Sequence, residues 1–261
     1  MRIATWNVNS IRSRIDRVEA WLARTDVDVL LMQETKAKEE QFPHRRLGAL
    51  GYEVAHHGTN QWNGVAILSR VGLADVRVGF DGDPGWGDPL AAEARSIGAT
   101  CNGIRLWSVY VPNGRALGDP HMAYKLDWLA RLRERATEWA ADGTPVALCG
   151  DWNIAPQDDD VWSMEYYLDK SHVSPGERAA FNAFLDAGFV DVVRPHTPGP
   201  GVYTYWDYQR LAFQKRRGMR IDFVLGSPSF AARVAGAAID REERKGAGAS
   251  DHAPVVVQLR D

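Results

Sequence analysis

Several apolar runs of this chain end in, or begin after, a short burst of acidic, amide and imidazole side chains. Gly150-Asp151-Trp152-Asn153 follows the run 145–149, and Ser250-Asp251-His252 precedes the run 253–257. A single Gly-Asp or Ser-Asp is an ordinary turn dipeptide, but the arrangement recurs at Thr5-Trp6-Asn7-Val8-Asn9 and Gln33-Glu34-Thr35-Lys36. A strand fixes the backbone while a loop leaves the side chain open to a substrate, so these strand ends are suited to an active site.

A fifth candidate side chain, the acid Asp222, lies within the apolar segment 220–225, where aspartate is uncommon. A single buried aspartate is most simply a paired structural acid, but five strand-associated carboxylates or amides favour a shared role. Carboxylate and carbonyl oxygens are the ligands of hard divalent cations such as Mg²⁺, which also keeps water and substrate phosphate in its shell. The pattern therefore predicts metal-assisted phosphate chemistry.

The elements that must position these side chains are predicted from hydrophobic periodicity. Strands are predicted over residues 2–6, 27–33, 52–56, 64–69, 73–79, 94–100, 104–111, 145–150, 202–206, 220–225, 233–239 and 254–259. Helices are predicted over residues 11–24, about 39–49, 121–140 and 175–187. Hairpin-like strand pairs mixed with single helices favour largely antiparallel sheets flanked by helices. No Gly/Pro-rich loop separates two cores, so we expect one domain over residues 1–261.

Bulk composition narrows the class of protein. With 45% hydrophobic and 25% charged residues, the chain has the composition of an ordinary soluble globular protein, and no apolar stretch is long enough to span a bilayer. Two cysteines and a start that enters a strand at once predict a reduced, cytoplasmic protein. The net charge of −3 argues against uniform nucleic-acid binding, whereas the basic loop at Lys215, Arg216 and Arg217 is suited to a phosphate backbone.

Taken together, the segments resemble the exonuclease III family of DNA-repair nucleases, within the endonuclease/exonuclease/phosphatase superfamily. The resemblance runs nearly end to end and rests on Trp6-Asn7-Val8-Asn9, Gln33-Glu34-Thr35-Lys36, Tyr110-Val111-Pro112-Asn113-Gly114, Gly150-Asp151-Trp152-Asn153, Tyr203-Thr204-Tyr205-Trp206, Arg220-Ile221-Asp222 and Ser250-Asp251-His252. It implies an α/β fold, a four-layer α/β sandwich in which two packed mixed sheets are flanked by helices.

The resemblance also implies a metal site and a catalytic set. Glu34 corresponds to the principal ligand of Mg²⁺, with Mn²⁺ as an alternative ion and with Asn7 and Asp251 nearby. The implied catalytic residues are Tyr110, Asp151, Asn153, Asp222 and His252. In this assignment Asp151 activates or orients the attacking water, and the amide of Asn153 helps to orient the groups around that water. Asp222 fixes the tautomer of His252 and favours its imidazolium form, which stabilises phosphate charge together with Tyr110.

Substrate contacts follow from the same resemblance. Asn113 and Arg115 lie in the loop after Tyr110, and Lys215 and Arg216 lie in the basic loop. The family's apolar pocket for a base-less sugar corresponds to Tyr205, Met219 and Ile221, although the family often has a larger apolar residue where Met219 stands. The implied protein is a monomeric, divalent-metal-dependent hydrolase of base-excision repair. Its implied partner is duplex DNA, abasic or blocked at the 3′ end.

Two alternative functions remain open at this stage. The first is a superfamily phosphatase acting on inositol phosphates or a phospholipid head group through the same Asn, Glu, Asp and His side chains. The second is a catalytically silent nucleic-acid-binding regulator, whose mark would be the loss of catalytic side chains. The segments 110–114 and 203–206 favour the DNA branch, and no catalytic side chain is missing.

Overall fold

The computed structural model describes residues 1–260, and the strands of this range form two six-stranded sheets. In chain order the strands are β1 (Arg2–Asn7), β2 (Val29–Gln33), β3 (Glu53–His57), β4 (Val65–Ser69), β5 (Ala74–Val78), β6 (Ser96–Cys101), β7 (Ile104–Tyr110), β8 (Val146–Asp151), β9 (Val190–Asp191), β10 (Asp222–Gly226), β11 (Val234–Ile239) and β12 (Val255–Leu259). The α-helices are α1 (Ile11–Thr25), α2 (His44–Gly48), α3 (Pro120–Ala140), α4 (Met164–Tyr167), α5 (Pro175–Asp186) and α6 (Pro228–Ala231).

The two sheets repeat one pattern of strand directions. The strand order is β11-β12-β1-β2-β4-β3 in the first sheet and β5-β6-β7-β8-β10-β9 in the second. Within residues 1–260 the central pairs β1–β2 and β7–β8 are parallel and the other strand pairings are antiparallel. The predicted sandwich of two mixed sheets flanked by helices is confirmed, as is the prevalence of antiparallel pairs.

Alternating side chains of the central strands build the core on both faces of each sheet. In β2, Val29 and Leu31 pack between the two sheets, whereas Leu30 and Met32 pack on the other face with Trp21 of α1. Successive side chains of a strand point to opposite faces, so a strand covered on both sides is apolar throughout. The second sheet is covered in the same way by α3 and α5, through residues such as Trp128 and Phe184.

The parallel central pairs decide where the polar strand ends meet. Parallel neighbours end at the same edge of a sheet, so Asn7 lies beside the residues that follow Gln33, and Tyr110 lies beside Asp151. The antiparallel strand β10 begins at this edge and places Asp222 directly opposite Asp151. The packing of the two sheets therefore gathers the predicted functional segments at one edge of the sandwich.

Some predicted elements are wrong. Segment 202–206 is not a strand: its regular pairing is limited to bridges from Tyr205 to Met219 and to His252. The helix predicted over about 39–49 is divided at Pro43 into a 3₁₀ turn (Glu39–Gln41) and the short α2, because proline disfavours helical backbone in the residue before it. The short elements β9, α4 and α6 were not predicted. Among the described residues, no helix has the length and hydropathy needed to cross a membrane.

Candidate active site

Asn7 joins the two sheets at this edge. Its side-chain nitrogen donates to Glu34 Oε1 at 2.8 Å and to Asp151 Oδ2 at 2.9 Å, while its side-chain oxygen accepts the backbone N–H of Asn9 at 3.0 Å. One ligand atom each from Glu34, Asp151 and His252 lies within 4.8 Å of the others. Asn7 is fully buried, so its amide fixes the separation of two carboxylates that would otherwise repel each other.

Glu34 is held as a carboxylate beside a lysine. Lys36 Nζ lies 2.7 Å from Glu34 Oε2 and donates to Asn9 Oδ1 at 2.6 Å. Burial raises the pKa of Glu34, but the Lys36 ammonium and the Asn7 amide outweigh burial and leave the pKa below its ordinary value. Asp251 lies on the other side of Asn9, whose side-chain nitrogen donates to Asp251 Oδ1 at 3.0 Å. Asn9 therefore connects Asp251 to the Glu34 side of the site.

Asp222 and His252 form a buried carboxylate–imidazole pair. His252 Nδ1 lies 2.9 Å from Asp222 Oδ2 and 3.1 Å from Oδ1, and Nε2 lies 3.7 Å from Asp151 Oδ2. Burial lowers the pKa of His252, but Asp222 and Asp151 outweigh burial and raise it to about 10. Burial, with Asp222 and Glu34, raises the pKa of Asp151 to about 7 against the opposing effect of His252. The site thus holds an imidazolium next to a carboxyl group poised to exchange a proton near neutrality.

Asn153 and Asn113 are tied to the same strand end. The backbone N–H of Asn153 donates to Asp151 Oδ1 at 2.9 Å, and its side-chain nitrogen donates to Val111 O at 2.9 Å. Its side-chain oxygen accepts from Asn113 Nδ2 at 3.2 Å. These bonds fix the direction of the Asp151 carboxylate relative to the loop that follows β7.

Tyr110 ends β7 at the floor of the site. Its ring lies 5.0 Å from the guanidinium carbon of the buried Arg95, which in turn donates to Glu93 at 2.7 Å. Burial raises the pKa of Tyr110 well above its ordinary value, and the nearby Glu34 carboxylate raises it further. Tyr110 therefore keeps its phenolic proton and acts as a hydrogen-bond donor.

Lys125 and Glu177 are functional supports that sequence reasoning missed. Both side chains are fully buried, and Lys125 Nζ lies 2.5 Å from Glu177 Oε1. The same ammonium donates to Asn153 O at 2.7 Å and to Asn113 O at 3.2 Å. A signal existed, because Lys125 interrupts the apolar stripe of the predicted helix 121–140, three residues after Met122 and three before Trp128.

His172 is a second missed residue. Its Nε2 lies 3.2 Å from Asn153 Oδ1, its Nδ1 lies 3.0 Å from Ser171 Oγ, and its backbone N–H donates to Glu177 Oε1 at 2.9 Å. Burial and the Lys125 ammonium lower the pKa of His172 to about 4, so the imidazole is neutral. Unlike Lys125, this histidine lies in a loop, where no apolar periodicity surrounds it, so the sequence does not indicate its role.

A cavity of about 410 Å³ opens next to the catalytic cluster. Tyr205, Met219 and His172 line it, and the Tyr205 ring lies 4.9 Å from the ring of His252. Ile221 is 2% exposed and belongs to the apolar cluster behind Met219, so it supports the wall. Two of the three predicted pocket residues therefore reach the cavity.

The predicted basic residues divide between two faces. Arg115 lines this cavity, together with Arg217, whose guanidinium carbon lies 4.7 Å from the Trp162 ring centre. Lys215 is exposed, and Arg216 lines a separate cavity of about 230 Å³. Arg217 is thus the member of the basic loop that faces the catalytic side.

Residues 4–252 match the sequence model of the Endonuclease/Exonuclease/phosphatase family. The chain belongs to this family. It is 29% identical over 272 residues to an exodeoxyribonuclease III of Haemophilus influenzae, with 100% of both chains covered. Among solved structures it resembles a 3′ phosphatase from Neisseria bound to a product DNA hairpin (38% identity, TM-score 0.94, 100% and 99% of the two chains). It also resembles an AP endonuclease from Archaeoglobus fulgidus (35% identity, TM-score 0.92, 99% of each chain).

These matches confirm the family and the enzyme class predicted from the sequence segments. Nucleases of the family depend on a divalent metal, and the described residues fit that requirement. Glu34 is ionised, its second oxygen is paired with the Lys36 ammonium, and Asp151 offers a second oxygen ligand within 4.8 Å. A hard cation would be held by oxygen atoms of this kind.

We expect Lys125→Met to lower the free energy of unfolding by about 3–5 kcal/mol, because it leaves Glu177 buried without its counter-charge. Denaturant unfolding measures the loss. Lys245→Met is the matched control, since Lys245 pairs with Glu242 at 2.7 Å on the surface and such pairs contribute about 0–1 kcal/mol. The double variant Lys125→Met/Glu177→Met should recover part of the loss. Equal, small losses in both single variants would contradict the role of the buried pair.

We expect the metal-free protein to keep His252 protonated up to a pH of about 10, well above the ordinary value of 6.5. The stabilisation from this raised pKa is fully present below pH 6.5 and is lost as the pH rises through about 10. Asp222→Asn should lower the His252 pKa, and the stability difference from wild type should shrink at high pH. NMR titration of the imidazole gives the pKa directly. A wild-type pKa near 6.5 would refute the pairing.

Proposed function

We propose that this protein is a divalent-metal-dependent nuclease of DNA repair that hydrolyses phosphodiester bonds in duplex DNA, at abasic sites or at 3′ ends. The observation that carries the proposal is the cluster in which Glu34, Asp151 and the Asp222–His252 pair meet at one edge of the sandwich. An acid–base group, an imidazolium and a hard-cation ligand together match the needs of phosphodiester hydrolysis.

We assign the metal to Glu34, with Mg²⁺ as the ion and Mn²⁺ as an alternative. Asn7 would support the ion by holding Glu34 and Asp151 in place. Asp251 would lie near it, held by its hydrogen bond from Asn9. When bound, such an ion supplies counter-charge to the phosphate and to the leaving 3′-oxygen. Lys36 must release Glu34 Oε2 to admit it, because its ammonium lies 2.7 Å from that oxygen.

Asp151 takes the proton of the attacking water in this mechanism. A general base works best with a pKa near the working pH, and burial raises the pKa of Asp151 to about 7. His252 directs its Nε2 proton toward the phosphate while Asp222 accepts the Nδ1 proton, which keeps the imidazolium oriented. The Tyr110 hydroxyl donates a hydrogen bond to the same phosphate, and Asn153 keeps Asp151 aligned through the 2.9 Å bond.

Positive charge around the cavity suits a DNA backbone. Arg115 and Arg217 line it, Asn113 stands beside it through its bond to Asn153, and Lys215 and Arg216 extend the basic loop. Phosphate contacts of this kind position a duplex without reading its sequence. A base-less sugar can be flipped out of the stack at lower cost than a paired nucleotide, and we infer that Tyr205 and Met219, backed by Ile221, receive it.

Two further inferences concern the setting of this reaction. Among the described residues, Cys101 and Cys149 are buried free thiols, which supports a protein of the reducing cytoplasm. We infer that it acts as a monomer, because one chain supplies every catalytic side chain. A silent nucleic-acid-binding role would not need the intact Asp222–His252 pair, and a phosphatase of small phospho-substrates would not need the Arg115–Arg217 rim.

The function is tested by assaying one preparation on an abasic duplex, a blunt duplex and a nicked duplex with a 3′-phosphate, with Mg²⁺ and with EDTA. We expect metal-dependent cleavage of at least one substrate. Asp151→Asn should bind DNA normally but lower turnover by roughly 10²–10⁴, the scale of a proton-handling group. Inositol phosphates serve as the control substrate. Full cleavage in EDTA, or hydrolysis of the control substrate alone, would overturn the proposal.

Substitution of Met219 tests substrate choice. Fit in an apolar pocket is worth about 1–3 kcal/mol, so Met219→Trp and Met219→Ala should change the rates on abasic and ordinary 3′ ends by different factors. Val161→Ala is the matched control, because Val161 belongs to the same apolar cluster but is absent from the cavity lining. It should lower the melting temperature and scale both rates together. The same behaviour in the Met219 variants would refute the pocket assignment.

A further inference from the structure

Outside the catalytic cluster, Glu39, His44 and His56 converge at the edge of the first sheet. Glu39 Oε1 lies 2.8 Å from His44 Nε2, and Glu39 Oε2 lies 2.7 Å from His56 Nδ1. One ligand atom from each of the three residues lies within 4.8 Å of the others. They come from three separate elements: the 3₁₀ turn 39–41, the start of α2 and the edge strand β3.

Packing holds His56, whereas the side chains of His44 and Glu39 are partly exposed. The Phe42 ring stacks on His56 with ring centres 4.1 Å apart and lies 5.0 Å from His44. The His56 side chain is fully buried, whereas the Glu39 side chain is 61% exposed. One buried imidazole, one imidazole that is 40% exposed and one exposed carboxylate leave a side of the cluster open to solvent.

Hydrogen bonding does not account for His44. Its Nε2 atom is buried and makes no hydrogen bond of acceptable geometry, although Glu39 Oε1 is only 2.8 Å away. A buried polar atom that makes no well-aligned hydrogen bond is uncommon in native proteins and calls for an explanation. A cation between the imidazole and the carboxylate would replace this poorly aligned contact with a direct ligand bond to Nε2.

We propose that Glu39, His44 and His56 form a second metal site that takes a borderline divalent cation of the zinc class. Imidazole ligands favour such ions, whereas Mg²⁺ requires oxygen ligands. Zinc–ligand bonds of about 2.0–2.2 Å in a tetrahedral shell place neighbouring ligand atoms roughly 3.3 Å apart. The present contacts of 2.7 and 2.8 Å need to open by only about half an ångström, a shift available to the exposed Glu39.

The site is linked to the loop that carries Glu34. His56 Nε2 lies 3.0 Å from Thr35 Oγ1, and a metal at Nδ1 would fix the remaining ring proton on Nε2, which then donates to Thr35. Thr35 is held by backbone hydrogen bonds, because its N–H donates to Gly64 O at 3.1 Å and its carbonyl accepts from Ile11 N–H at 3.0 Å. A cation here would therefore brace the segment next to Glu34 without entering the catalytic site.

Zinc binding by calorimetry and the melting temperature with added Zn²⁺ test the proposal. Glu34→Gln/Asp151→Asn serves as the background, so that the catalytic cluster does not compete. We expect a single Zn²⁺ per chain, a melting temperature that rises with Zn²⁺ concentration, and no such binding of Mg²⁺. In this background His44→Gln should weaken binding at least about 100-fold, since even loss of an outer hydrogen-bond partner costs 10–100-fold.

Two further variants keep the result decisive. His57→Gln is the matched control, because His57 is the next residue of β3 and its side chain points to the opposite face. Glu39→Gln repeats the test at a side chain that is 61% exposed, and its melting temperature without zinc reports any loss of stability. Unchanged zinc affinity in both ligand variants, an equal loss in His57→Gln, or no zinc binding in the background protein would overturn the proposal.

Discussion

Three carboxylates, those of Asp222, Asp151 and Glu34, lie around one buried imidazolium, that of His252. The other contacts of the site depend on this excess of negative charge. Asp222 pairs with the imidazolium of His252 at 2.9 Å, and Glu34 pairs with the Lys36 ammonium at 2.7 Å. Asp151 is left with a contact of 3.7 Å to His252 and a pKa raised to about 7. Of these three acids, the one without a full counter-charge is therefore the one whose proton is exchangeable at neutral pH, and the surplus negative charge is what attracts a cation.

Strained backbone concentrates around the same residues. Glu34, Asn153 and His172 have positive φ angles of 51°, 50° and 83°, a region that non-glycine side chains avoid at a cost of order 1–3 kcal/mol each. The buried Lys125–Glu177 pair holds two of these turns, because it accepts the His172 N–H and donates to the Asn153 carbonyl. An ion pair deep under the loops thus maintains a geometry that local preferences oppose.

Much of the fold and the position of the site could be predicted, because both follow from local pattern. Apolar runs such as 27–33 mark central strands, and polar residues at their ends mark the edge where Glu34 and Asp151 meet. Residues 39–49 show one limit of prediction: their apolar periodicity suggests a single helix, but Pro43 breaks it into a 3₁₀ turn and a short α-helix. His172 shows the other limit: it reaches Asn153 only through long-range packing of its loop on Glu177, for which no local pattern exists.

The first sheet is assembled from both ends of the described chain, because β1 pairs with β12, the strand that follows His252. The second sheet is contiguous in sequence, from β5 to β10. During translation the second sheet can thus form while β1 still lacks its neighbour β12, and His252 is among the last catalytic residues to leave the ribosome. A nascent chain whose synthesis has not passed His252 lacks the imidazolium, so DNA cleavage has to wait until the segment that leads into β12 has been made.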